Sequence, residues 1–147
     1  MEIKDSSQQF FELYKFYVEL TDKMSQRRGQ ANVFFLSVLS TFIGLTGFAY
    51  PFLSNGGTKS IVYLISVFGI LLCFVWYLNI NSYKQINKLR FTVIQEMEIS
   101  LVFPCFSREW QLLKEKKMKY TRLSKIEKFV PLLFIIPFVF FIIINLI

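Results

Sequence analysis

The side chains that most often carry acid–base, nucleophilic or metal chemistry are sparse in this chain of 147 residues. It has ten carboxylates, two cysteines and no histidine. The carboxylates are Glu2, Asp5, Glu12, Glu19, Asp22, Glu96, Glu98, Glu109, Glu115 and Glu127. General acid–base work by a carboxylate pair needs both groups aimed at one point. The closest pair late in the chain, Glu96 and Glu98, is two residues apart, so on a helix the two point to different faces. Cys73 lies in an apolar run and Cys105 in a polar connection. No disulfide is expected between them, and a cytoplasmic Cys105 stays reduced. Without histidine or a cysteine cluster the common transition-metal sites are missing. There is no nucleophile–base pair and no glycine-rich phosphate loop. The residues therefore predict a non-enzyme with no cofactor and no metal.

The elements that position these groups are set by where charge is absent. The chain is 54% hydrophobic with 18 Phe and is 18% charged, against about 25% charged in a soluble domain. No charge lies between Arg28 and Lys59, between Lys59 and Lys84, or from Phe129 to Ile147. Each run meets the roughly 20 residues that cross a hydrocarbon core. The expected fold is an all-α membrane protein with three transmembrane helices. Its second helix extends into the cytoplasm, and its N-terminus is a cytoplasmic helix. The segments are 1–30, an amphipathic helix; 31–80, a transmembrane hairpin with spans at 31–53 and 61–80; 81–128, a basic helical segment; and 129–147, the third span. No small-residue cleavage pattern follows the first apolar run, so that span is expected to be retained.

Lysine and arginine set the orientation. Segment 1–30 carries five, the link 54–60 carries one, and 81–128 carries eleven. The positive-inside rule places 1–30 and 81–128 in the cytoplasm and the C-terminus at the outer face.

Along the chain, Phe10, Leu13, Tyr17, Leu20 and Met24 recur at helical spacing, one apolar stripe on a helix over 7–28. Ser37, Ser40, Gly44 and Gly47 share a face of the first span, and Ser66, Gly69 and Cys73 share one on the second. Small residues let helix backbones approach. The reading favoured is that the two small faces meet in the hairpin across an Asn55-Gly56-Gly57 turn. The alternative is that one of them mediates contact between subunits. Tyr50, Phe52, Tyr63, Trp76 and Tyr77 suit headgroup-level belts. The second helix is expected to run from 61 to 101, with Tyr83, Ile86, Val93 and Met97 near one stripe and Leu89 and Phe91 broadening it. Ser107 is the expected N-cap of a short helix over 108–118. Ser124 with Glu127 has capping-box spacing for the last helix. Pro131 is expected in that helix's tolerant first turns and Pro137 in mid-span.

The spans hold no ionisable residue, which argues against a proton or ion transporter. The candidate assembly or inner-mouth contacts are Arg28, Asn32, Asn87, Arg90, Glu96, Glu98, Glu109 and Trp110. The basic cluster Lys114, Lys116, Lys117, Lys119 and Arg122 is a candidate for anionic headgroup contact, beside its role as a topology signal. Nucleic acid is not an expected partner.

Three runs carry a family likeness. One is Tyr14-Lys15-x-Tyr17-Val18-Glu19-x-x-Asp22-x-x-Ser25-x-Arg27-Arg28-x-x-x-Asn32-x-Phe34-Phe35. The second is Tyr83-Lys84-x-x-Asn87-x-x-Arg90-Phe91-x-Val93-Ile94-x-Glu96-x-Glu98, followed by Leu101 and Glu109-Trp110. The third is Tyr120 with Ser124-x-x-Glu127-x-x-x-Pro131. In these the chain resembles the small bacterial inner-membrane proteins of the RipA-type octameric membrane protein family. It departs at Val102, where the family tends to have Pro, a difference that bears on where the long helix ends. The resemblance implies a homo-oligomeric ring of eight copies and supplies no substrate or catalytic residue. Three functions follow as expectations: a ring-like membrane scaffold or pore, a triggered membrane-depolarising effector in bacterial defence, or an accessory subunit that meets an unidentified protein partner.

Overall fold

A computed structural model describes residues 2–49, 51, 56–116 and 123–146. These form four helices, α1 (Glu2–Ala49), α2 (Gly56–Glu98), α3 (Cys105–Glu115) and α4 (Leu123–Leu146). No strand occurs among the described residues. Three of the helices contain segments long and apolar enough to cross a membrane, within Ser7–Ala49, Lys59–Glu98 and Ile126–Ile144. The expected amphipathic helix and first span are one unbroken helix. Gly56 and Gly57 belong to α2 rather than to a turn. Asn55, like Tyr50, Phe52, Met118 and Tyr120, lies outside the described residues. α2 stops at Glu98, before Val102 and three residues short of the expected end.

The chain divides into two units, 1–28 with 83–122 and 29–82 with 123–147. In the apolar unit, Phe35, Leu39, Cys73, Trp76, Ile80 and Phe138 form the buried core. The Trp76 ring stacks on Phe35 at 5.8 Å and meets Phe134 edge-on at 6.0 Å. Buried hydroxyls are satisfied within their own helix: Thr46 donates to the Phe42 carbonyl at 2.8 Å, and Ser66 to that of Val62 at 2.8 Å. This is the arrangement hydrocarbon demands, since no water is there to bond them.

The small faces do not meet. Gly69 lies against the ring of Phe138 on α4, where an added Cβ would come within 2.5 Å of the ring carbons. Ser37, Ser40, Gly44 and Gly47 are exposed, and a Cβ at Gly44 or Gly47 would meet nothing within 4 Å. The small residue at 69 admits a large ring of α4, which brings α2 close to α4. Pro131 and Pro137 both sit in the interior of α4, because the helix begins at Leu123. Neither has an N–H to give to the helical ladder.

In the other unit the inner face of α1 is rotated from the expected stripe. Phe10, Tyr14, Tyr17, Thr21 and Met24 face inward, while Leu13 is exposed. Polar Thr21 is tolerated there because its hydroxyl donates to the Tyr17 carbonyl at 3.0 Å. On α2 the most buried apolar residue is Ile94, and Ile86 and Leu89 are exposed.

Gly69→Ala is expected to destabilise the protein by about 1–3 kcal/mol through overpacking. Adding Phe138→Leu recovers part of that loss, whereas Gly44→Ala leaves the monomer's fold unchanged. Thermal unfolding in detergent measures all three, and an unaltered midpoint for Gly69→Ala would contradict the Gly69–Phe138 contact.

Candidate functional site

Glu98, the last residue of α2, is 1% exposed. A buried carboxylate is strongly unfavourable unless its oxygens are bonded. Here four donors reach it. The N–H of Phe106 donates to Oε1 at 2.7 Å and that of Ser107 to Oε2 at 2.9 Å. The Ser107 hydroxyl donates to Oε2 at 2.8 Å, and the Tyr14 hydroxyl of α1 to Oε1 at 3.2 Å. The expected Ser107 cap is thus corrected. α3 begins at Cys105 after Pro104, which makes no side-chain cap bond. Glu98 supplies the capping oxygens from another helix, and its charge suits the positive end of α3.

Burial pushes the Glu98 carboxyl up, but the bonds from Phe106, Ser107 and Tyr14 together outweigh it and hold the group below its ordinary value of 4.5. Tyr14 moves the other way, to about 12, through burial and then the neighbouring Glu98 charge. Three helices of this unit therefore converge on one carboxylate.

A second polar tie lies about two turns from the unit's other end, where Arg90 Nη1 donates to the Leu20 carbonyl at 2.8 Å. Edge-on contact of Phe91 with Phe106 at 5.9 Å packs α3 on α2. Arg28 and Asn87 line a shallow cleft with Met24, Ser25 and Tyr83, too narrow to admit a water molecule. The Asn87 side-chain oxygen is buried there without a hydrogen bond. Glu96 and Glu109 are exposed, and Trp110 is 39% exposed.

In the apolar unit, the Trp76 indole N–H donates to Asn32 Oδ1 at 2.9 Å. Lys128 Nζ donates to Asn81 Oδ1 at 2.7 Å and lies 5.3 Å from the centre of the Tyr77 ring. Tyr77 and Asn81 are four apart, so one face of α2 presents both a ring and an amide to the start of α4.

Apart from Arg28 and Asn87 at the cleft, the candidate contacts thus separate into two classes. Asn32, Arg90 and Glu98 hold the chain's own helices together. Glu96, Glu109 and Trp110 remain on the surface. Lys114 and Lys116 are exposed, while Lys117, Lys119 and Arg122 lie outside the described residues. Tyr14, Asn81 and Lys128 were not among the candidate contacts, although Tyr14 opens the first family-like run. The Tyr77/Asn81 spacing was a usable signal for Lys128, but nothing local marks Tyr14. Among the described residues no group of three His, Cys, Asp or Glu side chains is placed to hold a metal.

Replacing Glu98 by Ala leaves two N–H groups and two hydroxyls without their acceptor, an expected loss of about 2–4 kcal/mol. Amide exchange at Phe106 and Ser107 should rise, and unchanged protection there would sink the capping role. Because the folded carboxyl titrates below its unfolded value, this stabilisation is complete above about pH 4.5. It fades as pH falls through the depressed folded value.

No curated protein and no solved structure matches the chain. A family model does match, from residue 11 to residue 147, that of the octameric membrane protein family (8xMP). The match spans the three apolar helices, the Glu98 cap and every tie just described, and on it the chain belongs to the octameric membrane protein family.

Proposed function

We propose that the protein is a non-enzymatic homo-oligomeric scaffold, a ring of eight copies in the bacterial inner membrane. The N-terminus and 81–128 lie in the cytoplasm, and the C-terminus is at the outer face. The observation that carries this reading is the open face of α1, taken with family membership. Ser37, Ser40, Gly44 and Gly47 lie on one exposed side of an apolar helix. Helix association in a bilayer has no hydrophobic drive and depends on close backbone approach, which small residues permit. A face of this kind that stays open among the described residues is suited to a neighbouring copy. The hydroxyls of Ser37 and Thr41 already donate to the Val33 and Ser37 carbonyls at 2.9 Å. These two hydroxyls therefore carry no unsatisfied donor into the bilayer. The basic residues after Lys116 are assigned to anionic headgroups. A ring with a lumen would also serve a depolarising effector, and dye leakage from vesicles holding the purified protein separates that role from a closed scaffold.

Native mass in a mild detergent is expected at about eight times the 17.4 kDa of one chain. Gly44→Leu, at a position where an added Cβ meets nothing within 4 Å, should lower that mass. A wild-type monomer or dimer would end the ring reading and point instead to an accessory subunit of a larger complex.

A further inference from the structure

We propose that the turn joining α2 to α3 is a docking knob for a second copy of this chain, an inference that rests on the oligomeric reading above. The turn is built rather than loose. The N–H groups of Ile99, Ser100 and Leu101 donate to the carbonyls of Glu96, Met97 and Glu98 at 3.3, 3.2 and 3.0 Å. The Glu98 carboxylate fixes its far side to α3. Leu101 turns inward, half-buried. Ile99, Val102 and Phe103 turn out, 84%, 106% and 63% exposed. At about 200 Å² for a large apolar residue, these exposures come to roughly 500 Å². One side of a standard protein interface buries about 800 Å², so three residues supply more than half of it.

The occupant follows from charge. Glu98 is buried in the clamp, and the exposed charged residues flanking the turn are two acids, Glu96 and Glu109, and one base, Arg108. Anionic lipid surfaces attract basic segments, and a rim with one more acid than base gives them no such attraction, so the knob fits a protein. The chain's own basic run begins with Lys114 and Lys116, both exposed. Closed rings are made by head-to-tail contacts between different patches of identical copies. An acidic, apolar knob and a basic run on one chain give the two halves of such a contact.

The test uses full-length protein in its membrane, with a photoreactive benzophenone side chain at position 102. Irradiation is expected to join two copies of the chain. Adducts only with lipid, adducts only with another protein, or no adduct would overturn the proposal. As a second readout, Val102→Glu should dilute out of the octamer at a concentration at least tenfold higher than wild type. Amide protection at Phe106 checks that the variant is folded. If wild type is octameric and both readouts are negative, the knob fails and the ring stands; if wild type is not octameric, both fail.

Discussion

Glu98 leaves water at the final residue of α2 and receives four hydrogen bonds in return, two of them from the first N–H groups of α3. Each partner solves the other's difficulty. A helix that starts after Pro104 has orphan N–H groups and a positive end. A buried carboxylate needs donors and positive potential. Tyr14 brings α1 to the same carboxylate, at Oε1. Removing the carboxylate would therefore loosen the end of α2, the start of α3 and the contact with α1 together. The paired acids, two residues apart, have opposite fates. Glu98 is the internal clamp, and Glu96 is a surface charge.

The apolar unit meets its polar demands differently. Its buried hydroxyls bond to their own helices, so they neither need nor specify a partner. Contact between helices comes from ring packing, Phe35 on Trp76 and Phe138 over Gly69. Two side-chain hydrogen bonds, Trp76 to Asn32 and Lys128 to Asn81, add direction to that packing. Both involve residues near the ends of the charge-free runs, where a polar group costs less than at mid-span.

How much of this the sequence disclosed depends on range. Charge-free runs are one-dimensional, and they located all three apolar helices. Helical spacing found that Phe10, Tyr17 and Met24 share a face, but it rotated the stripe toward Leu13 and missed Tyr14 and Thr21. A polar residue can face inward only if it has a partner, and Tyr14's partner is 84 residues away. The same limit misassigned the cap of α3. Ser107 has the right residue type, yet the capping oxygens come from Glu98, eight and nine residues earlier. Gly69 was legible as a small residue. That it admits Phe138 rather than the small face of α1 needed the position of α4.

Exposure means different things along one chain. Only 17%, 28% and 11% of the most apolar windows of the three long helices are buried. In lipid this is unremarkable, because an acyl chain is as good a neighbour for Phe34 or Phe68 as another side chain. The Glu98 unit is not apolar in that way. Its α2 segment carries Lys84, Lys88, Arg90, Glu96 and Glu98, a composition for water. There each Å² of apolar surface left uncovered forgoes about 25 cal/mol, and Ile99, Val102 and Phe103 are left uncovered. In the proposed ring the hydrophobic drive to associate would be concentrated in the part of the chain with fewer apolar residues. The small face of α1 would permit neighbouring helices to approach, and the knob would supply a free-energy reason for them to do so.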